Sequence, residues 1–205
     1  MKAVVFLVIL ATLFWFFVFS PWTSGKLNFW ALMVPATGIL AISGLYLDRK
    51  NLEEIYSFKN SYLLIGVGSA LILYLIFLLG HTVSKALFDF AQSQVSNIYL
   101  SRQQASPALI AVLLLGWIGP ADEIFWRGFV QRRMSDRFGK WSGYILTSLF
   151  YAGIHVWAFN FMLFGAALVC GLFWGLLFLH YRSVWPGLIS HALWDTTVFV
   201  LLPIS

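Results

Sequence analysis

The sequence predicts an all-α fold, a polytopic transmembrane helix bundle with lipid as its solvent. Hydrophobic residues make up 60% of the 205-residue chain and charged residues only 10%, where soluble domains carry about a quarter charged residues. The apolar residues gather into runs of about 20, the length needed to cross a hydrocarbon core of ~30 Å. Lys and Arg concentrate in two of the gaps between these runs, 48–61 and 131–140. This composition excludes disordered, collagen-like and disulfide-stapled chains. The one cysteine, Cys170, lies in an apolar run and forms no intramolecular bridge.

The spans are expected in order. Residues 3–19, 27–47 and 62–79 form the first three, and 107–130, 141–159, 162–179 and 184–201 the last four. Lys2 precedes the first run as in a signal peptide. The run is too long for an h-region, however, and Phe19-Ser20-Pro21 offers no small-x-small cleavage site, so it is expected to stay as a span. Residues 84–104 differ. Lys85, Asp89, Gln92, Gln94 and Arg102 alternate there with Leu87, Phe90, Val95 and Ile98, which suits an interfacial amphipathic helix or a lid. The expectation is seven spans, or eight if 84–104 also crosses with Asp89 and its glutamines shielded from lipid. The chain reads as one membrane domain, 1–205. Apolar spans and the interfacial helix occupy 1–106, and a chemically equipped helical core occupies 107–201.

Charge sets the expected orientation. With the N-terminus in the cytoplasm, Lys2, Arg49, Lys50, Lys59, Arg132, Arg133, Arg137, Lys140 and Arg182 face inward. Only Lys26, Lys85 and Arg102 face outward, and Ser205 ends outside. The net charge of +5 therefore tracks the bilayer. No basic cluster is interleaved with stacking aromatics, so nucleic acid is not an expected partner. An integral protein of a prokaryotic plasma membrane is the expected setting, and nothing in the sequence specifies an oligomer.

Polar residues at membrane depth carry the functional signal. The first three spans hold no Asp, Glu, Lys, Arg or His, whereas the last four hold Asp122, Glu123, Arg127, His155, His191 and Asp195. Each costs ~2.5–3.5 kcal/mol at the centre of a span unless partnered, so they are expected to face one another around a polar cavity. Glu123 and Arg127 are four residues apart, as are His191 and Asp195, which puts each pair on one helical face. Taken singly, each pair could be a packing clamp. Together they exceed what packing needs, and they suit hydrolysis. A carboxylate beside a histidine can deprotonate water, and a second histidine can stabilise an oxyanion.

A covalent nucleophile is not expected. Ser190 and His191 are sequence neighbours and diverge on a helix, and Cys170 has no charge near it in sequence to activate it. A zinc ion would have to draw on Glu123, His155 and His191. The HExxH arrangement is absent, so the expected metal and cofactor content is none.

Three motifs then carry a resemblance. Asp122-Glu123-Ile124-Phe125-Trp126-Arg127-Gly128 resembles the EExxxR(G) motif of the CAAX protease and bacteriocin-processing (CPBP) family of intramembrane proteases. Tyr151-Ala152-Gly153-Ile154-His155 resembles its FxxxH motif, and His191-Ala192-Leu193-Trp194-Asp195 its HxxxN motif. The resemblance covers roughly 107–201. It implies a glutamate-type endopeptidase acting on a membrane-associated protein or a peptide precursor. Asp122 would stand at the water-activating acid, His155 would help to hold the water, His191 and Asp195 would bind the oxyanion, and Glu123 and Arg127 would support them. Asp122 stands where the family has Glu, Tyr151 where it has Phe, and Asp195 where it has Asn. The first departure leaves the base open between Asp122 and Glu123. A non-catalytic membrane protein on the same scaffold, such as a bacteriocin immunity or partner-binding factor, is the alternative.

Overall fold

The first helix shows how the chain uses lipid as a solvent. In α1 (Lys2–Phe19) the residues Val4, Leu7, Ala11, Trp15 and Val18 recur every three or four positions and are buried. The remaining faces are equally apolar, with Val5, Phe6, Ile9, Leu13 and Phe17 exposed. A helix that is apolar all round belongs in a membrane. The computed structural model describes residues 1–49 and 52–204, so Lys50 and Ser205, used above for orientation, lie outside the described residues.

α2 (Phe29–Asp48) is capped by Asn28, whose Oδ1 accepts from the Ala31 N–H at 3.0 Å. At Gly38 the Trp117 indole lies so close that an added Cβ would sit 2.8 Å from its ring, and the same indole donates to the Val34 carbonyl at 2.9 Å. After the short α3 (Leu52–Tyr56) comes α4 (Ser61–Leu87). It runs two turns beyond the expected 62–79, so His81 and Lys85 are helical. The expected interfacial segment therefore begins later, as α5 (Ala91–Ile98) followed by a 3-10 turn over Tyr99–Gln104.

The central element is a continuous 32-residue helix, α6 (Pro107–Phe138). Ser106 accepts from the Leu109 N–H at its start, and Pro107 fills the first helical position, where no N–H is needed. Two stretches of wide π-type turns, Leu114–Ile118 and Ile124–Gln131, flank the Asp122-Glu123 pair. Pro120 accounts for the first. It lacks an N–H, and its ring would collide with the Gly116 carbonyl in a regular α-helix, so the helix widens there.

α7 (Lys140–Gly153) passes into a 3-10 turn over Ile154–Ala158 and stops at Phe159, whose φ of 47° is left-handed. α8 (Phe161–Tyr181) is capped by Asn160 and ends at Arg182, φ 53°. α9 (Trp185–Thr196) extends through a wide turn over Thr197–Leu201. Among the described residues no strand forms, so the all-α expectation stands. Of the expected seven or eight spans, length and composition show five among the described residues, α1, α2, α4, α6 and α8. The runs at 141–159 and 184–201 give regular helices of only 14 and 12 residues, because the first tightens after Gly153 and the second widens after Thr196.

The bundle brings together the segments expected to share a side. At one end α3 docks on the start of α9, with the Val184 N–H bonded to the Ile55 carbonyl at 3.2 Å and the Trp185 indole to the Tyr56 carbonyl at 2.7 Å. Asp48 there pairs with both Arg132 and Arg133, the Arg133 Nε lying 2.9 Å from its carboxylate. At the other end the α1–α2 loop, α5 and the start of α8 meet. Asn28 donates to the Gln104 carbonyl at 3.1 Å and Asn160 to the Gln94 carbonyl at 2.8 Å.

Asp48 is a buried carboxylate shared by two guanidinium groups that tie α2 to α6. Asp48→Asn is expected to destabilise the bundle by about 2 kcal/mol, since it leaves partly buried charged donors poorly paired. The check is a lower thermal midpoint in detergent.

Candidate active site

Four of the six ionisable residues line one cavity of about 880 Å³: Asp122, His155, His191 and Asp195. Glu123 and Arg127 do not reach it. They sit behind the wall, 0% and 1% exposed. Neighbouring positions on one helix therefore part into a carboxylate that faces the cavity and a carboxylate that faces the packing.

His191 is held on three sides. Its Nδ1 lies 3.0 Å from Glu123 Oε1 on α6, and its Nε2 lies 3.3 Å from Asp195 Oδ2 one turn along α9. Its ring stacks on Trp174 of α8, with centroids 3.7 Å apart and planes 15° from parallel. Trp174 is fixed in turn by its indole N–H, which donates to Ser190 Oγ at 3.1 Å. A ring proton on each nitrogen would satisfy both carboxylates, and an imidazolium over an aromatic face is favourable. The sequence paired Glu123 with Arg127, and that contact is present but long, 3.6 Å from Arg127 Nε to Glu123 Oε2. Glu123's closer partner is His191.

Small residues make this possible. A Cβ on Gly187 would fall 2.5 Å from Glu123 Oε2, and one on Gly119 would fall 3.0 Å from the Ala192 backbone. Close helix approach through glycine is how α9 and α6 bring an imidazole to a carboxylate in lipid. Arg127 lies with its guanidinium 5.0 Å over the Tyr151 ring, and its nitrogens have no hydrogen-bond partner among the described residues.

His155 is fixed differently. The Tyr151 carbonyl can only accept, so the 2.8 Å contact places a proton on Nδ1. Nε2 then accepts from the Trp15 indole N–H at 3.1 Å. The ring is neutral, and both of its nitrogens are engaged. Trp15, Phe19 and Tyr151 surround it, with ring centroids 5.9, 5.4 and 5.4 Å away. Asp122, 5% exposed, makes no direct hydrogen bond to the protein among the described residues and is left to the cavity. The zinc set considered above is not assembled. Among the described residues no group of three or more His, Cys, Asp or Glu side chains is placed to hold a metal ion.

Sequence reasoning missed the two tryptophans. Trp15 belongs to a span whose composition looks purely apolar, and Trp174 to the only late span without an ionisable residue. The one available signal was that an indole N–H in lipid needs an acceptor, which names no partner.

Residues 102–197 match the family described as type II CAAX prenyl endopeptidase Rce1-like. The matched stretch holds all six ionisable residues, in agreement with the motif resemblance. No curated protein and no solved structure matches the chain.

Two outcomes are expected from this geometry. Gly187→Ala drives a methyl group into the Glu123 carboxylate, so the Glu123–His191 contact breaks. Imidazole ¹⁵N spectra of the folded variant should show His191 without its Nδ1 hydrogen bond. Trp15→Phe keeps the ring but removes the N–H, and the same spectra should show His155 exchanging between tautomers instead of held as one.

Proposed function

We propose that this chain is an intramembrane endopeptidase that hydrolyses a peptide bond of a membrane-associated protein or peptide precursor. The family match over 102–197 supports the endopeptidase reading. The observation that carries the mechanism is the division of the paired acids: Asp122 opens to the cavity, and Glu123 is spent on His191.

Asp122 is the general base in this reading. A carboxylate with no protein hydrogen bond is free to hold a water and take its proton as the oxygen attacks the scissile carbonyl carbon. His191, backed by Glu123 and Trp174, donates to the oxyanion through Nε2 once that nitrogen leaves its 3.3 Å contact with Asp195. Glu123 and Trp174 fix the plane of the ring before substrate arrives, so only the Nε2 partner has to change. The intermediate collapses with cleavage of the C–N bond. The proton taken by Asp122 passes to the departing amine, giving a carboxyl and an amino terminus. Asp195 sits where an amide donor would serve the oxyanion. As a carboxylate 3.3 Å from Nε2, it orients and neutralises His191 instead.

His155 lines the cavity with both nitrogens engaged. It can accept from the water only when the Trp15 N–H releases Nε2. A membrane-associated substrate has a route to the site, because exposed residues of α4 (Ile76, Gly80) and α8 (Val169) edge the cavity toward lipid.

Purified protein reconstituted with membrane peptides that accumulate in cells lacking it provides the test. Asp122→Asn should fold with unchanged thermal stability and lose turnover by about 10²–10⁴-fold. Asp122→Glu should keep turnover. Glu123→Gln should lower both turnover and thermal midpoint, because it weakens the support of His191 and leaves Arg127 uncompensated in lipid. Full turnover in Asp122→Asn would move the base elsewhere.

A further inference from the structure

The two ends of the bundle differ in charge, and the cavity reaches only one of them. At the basic end lie Lys2, Arg49, Lys59, Arg132, Arg133, Arg137, Lys140 and Arg182, at the tips of α1, α2, α4, α6, α7 and α8. The opposite end has Lys26, Lys85 and Arg102. Lys and Arg accumulate on the cytoplasmic side of membrane proteins, so the eight-to-three imbalance, taken over the described residues, puts the basic end in the cytoplasm.

The cavity belongs to the other end. Its rim is built from the α1–α2 loop (Ser24, Leu27), the α5 region (Asn97, Leu100) and the start of α8 (Phe161), and its floor from Asp122, Trp174 and His191. Among the described residues, none from 49–61, 131–145 or 176–189, the segments that form the basic end, lines it. Between that end and the cavity the helices are packed shut, and the shallow hollow among Asp48, Arg132, Arg133 and Asp136 shares no residue with the cavity. Trp126, Arg127, Val130 and Gln131 are almost wholly buried, and the Tyr56 hydroxyl fills the space over Gly128, 2.6 Å from where a Cβ would be.

We infer that the site takes its substrate from the non-cytoplasmic face of the membrane. The substrate class is then a translocated peptide, or the segment of a membrane protein exposed on that face, rather than a protein delivered from the cytosol. The word substrate rests on the peptidase reading. The sidedness of the cavity does not, and it can be tested without activity.

The experiment uses the full chain with Cys170→Ser as background, expressed in a bacterial host and probed in right-side-out spheroplasts with a membrane-impermeant maleimide. Single cysteines are placed at the rim (Ser24→Cys and Asn97→Cys) and at the basic end (Ser57→Cys and Ser142→Cys). All four positions are exposed. The expected result is labelling of the rim cysteines in intact spheroplasts, with the basic-end cysteines labelled only after permeabilisation. The reverse pattern, or equal labelling of all four, overturns the inference. Loss of turnover in Asp122→Asn reads the chemistry separately. Rim labelling without turnover would refute the peptidase and leave the sidedness standing.

Discussion

The site depends on a single contact across two helices, the 3.0 Å hydrogen bond between Glu123 on α6 and His191 on α9. Glu123 is wholly buried and His191 meets only the cavity, and each would be costly in lipid alone. Their union fixes the depth and rotation of α9 against α6, which in turn sets where Asp195 and Trp174 meet the imidazole. Glycines at 119 and 187 allow the approach. Because any side chain at Gly187 would strike the carboxylate, the backbone and the chemistry are constrained together.

The wide turns in α6 belong to the same constraint. A regular helix turns 100° per residue, and its interior has no slack. Pro120 opens the turn before the acids, and a second wide stretch follows them. Between the two, Asp122 faces the cavity and Glu123 the packing. Wide turns inside α-helices are frequent at functional sites, and here they flank two adjacent carboxylates whose side chains leave the helix on different sides.

The helices that carry no motif supply the walls. α1 contributes Trp15 to His155, α8 contributes Trp174 to His191, and α4 contributes Phe77, which packs at 4.6 Å on Trp194. Without a hydrophobic drive between helices in lipid, such ring contacts and interhelical hydrogen bonds are what hold a bundle together. The apolar half therefore helps to build the candidate site and is not only its anchor.

Much was legible in the residues alone. Run length and charge scarcity determine an all-helical membrane bundle, because a chain in hydrocarbon must satisfy its backbone internally. The cost of charge in lipid singles out Asp122, Glu123, Arg127, His155, His191 and Asp195, and their spacing supplies the family resemblance. Periodicity could not show where helices tighten or widen, so it missed the 3-10 turn that ends 141–159 and the wide turns within 107–130 and 184–201, and α4 runs past its expected end. Nor could spacing along one helix reveal partners on another. It joined Glu123 to Arg127, whereas the fold joined Glu123 to His191, since the approach of α6 and α9 depends on which glycines face each other. The tertiary structure alone decided that both nitrogens of His155 are engaged, that Trp15 and Trp174 hold the histidines, and that the cavity opens away from the basic end. Each of these is a relation between surfaces of different helices, and a one-dimensional pattern records only the surface of one.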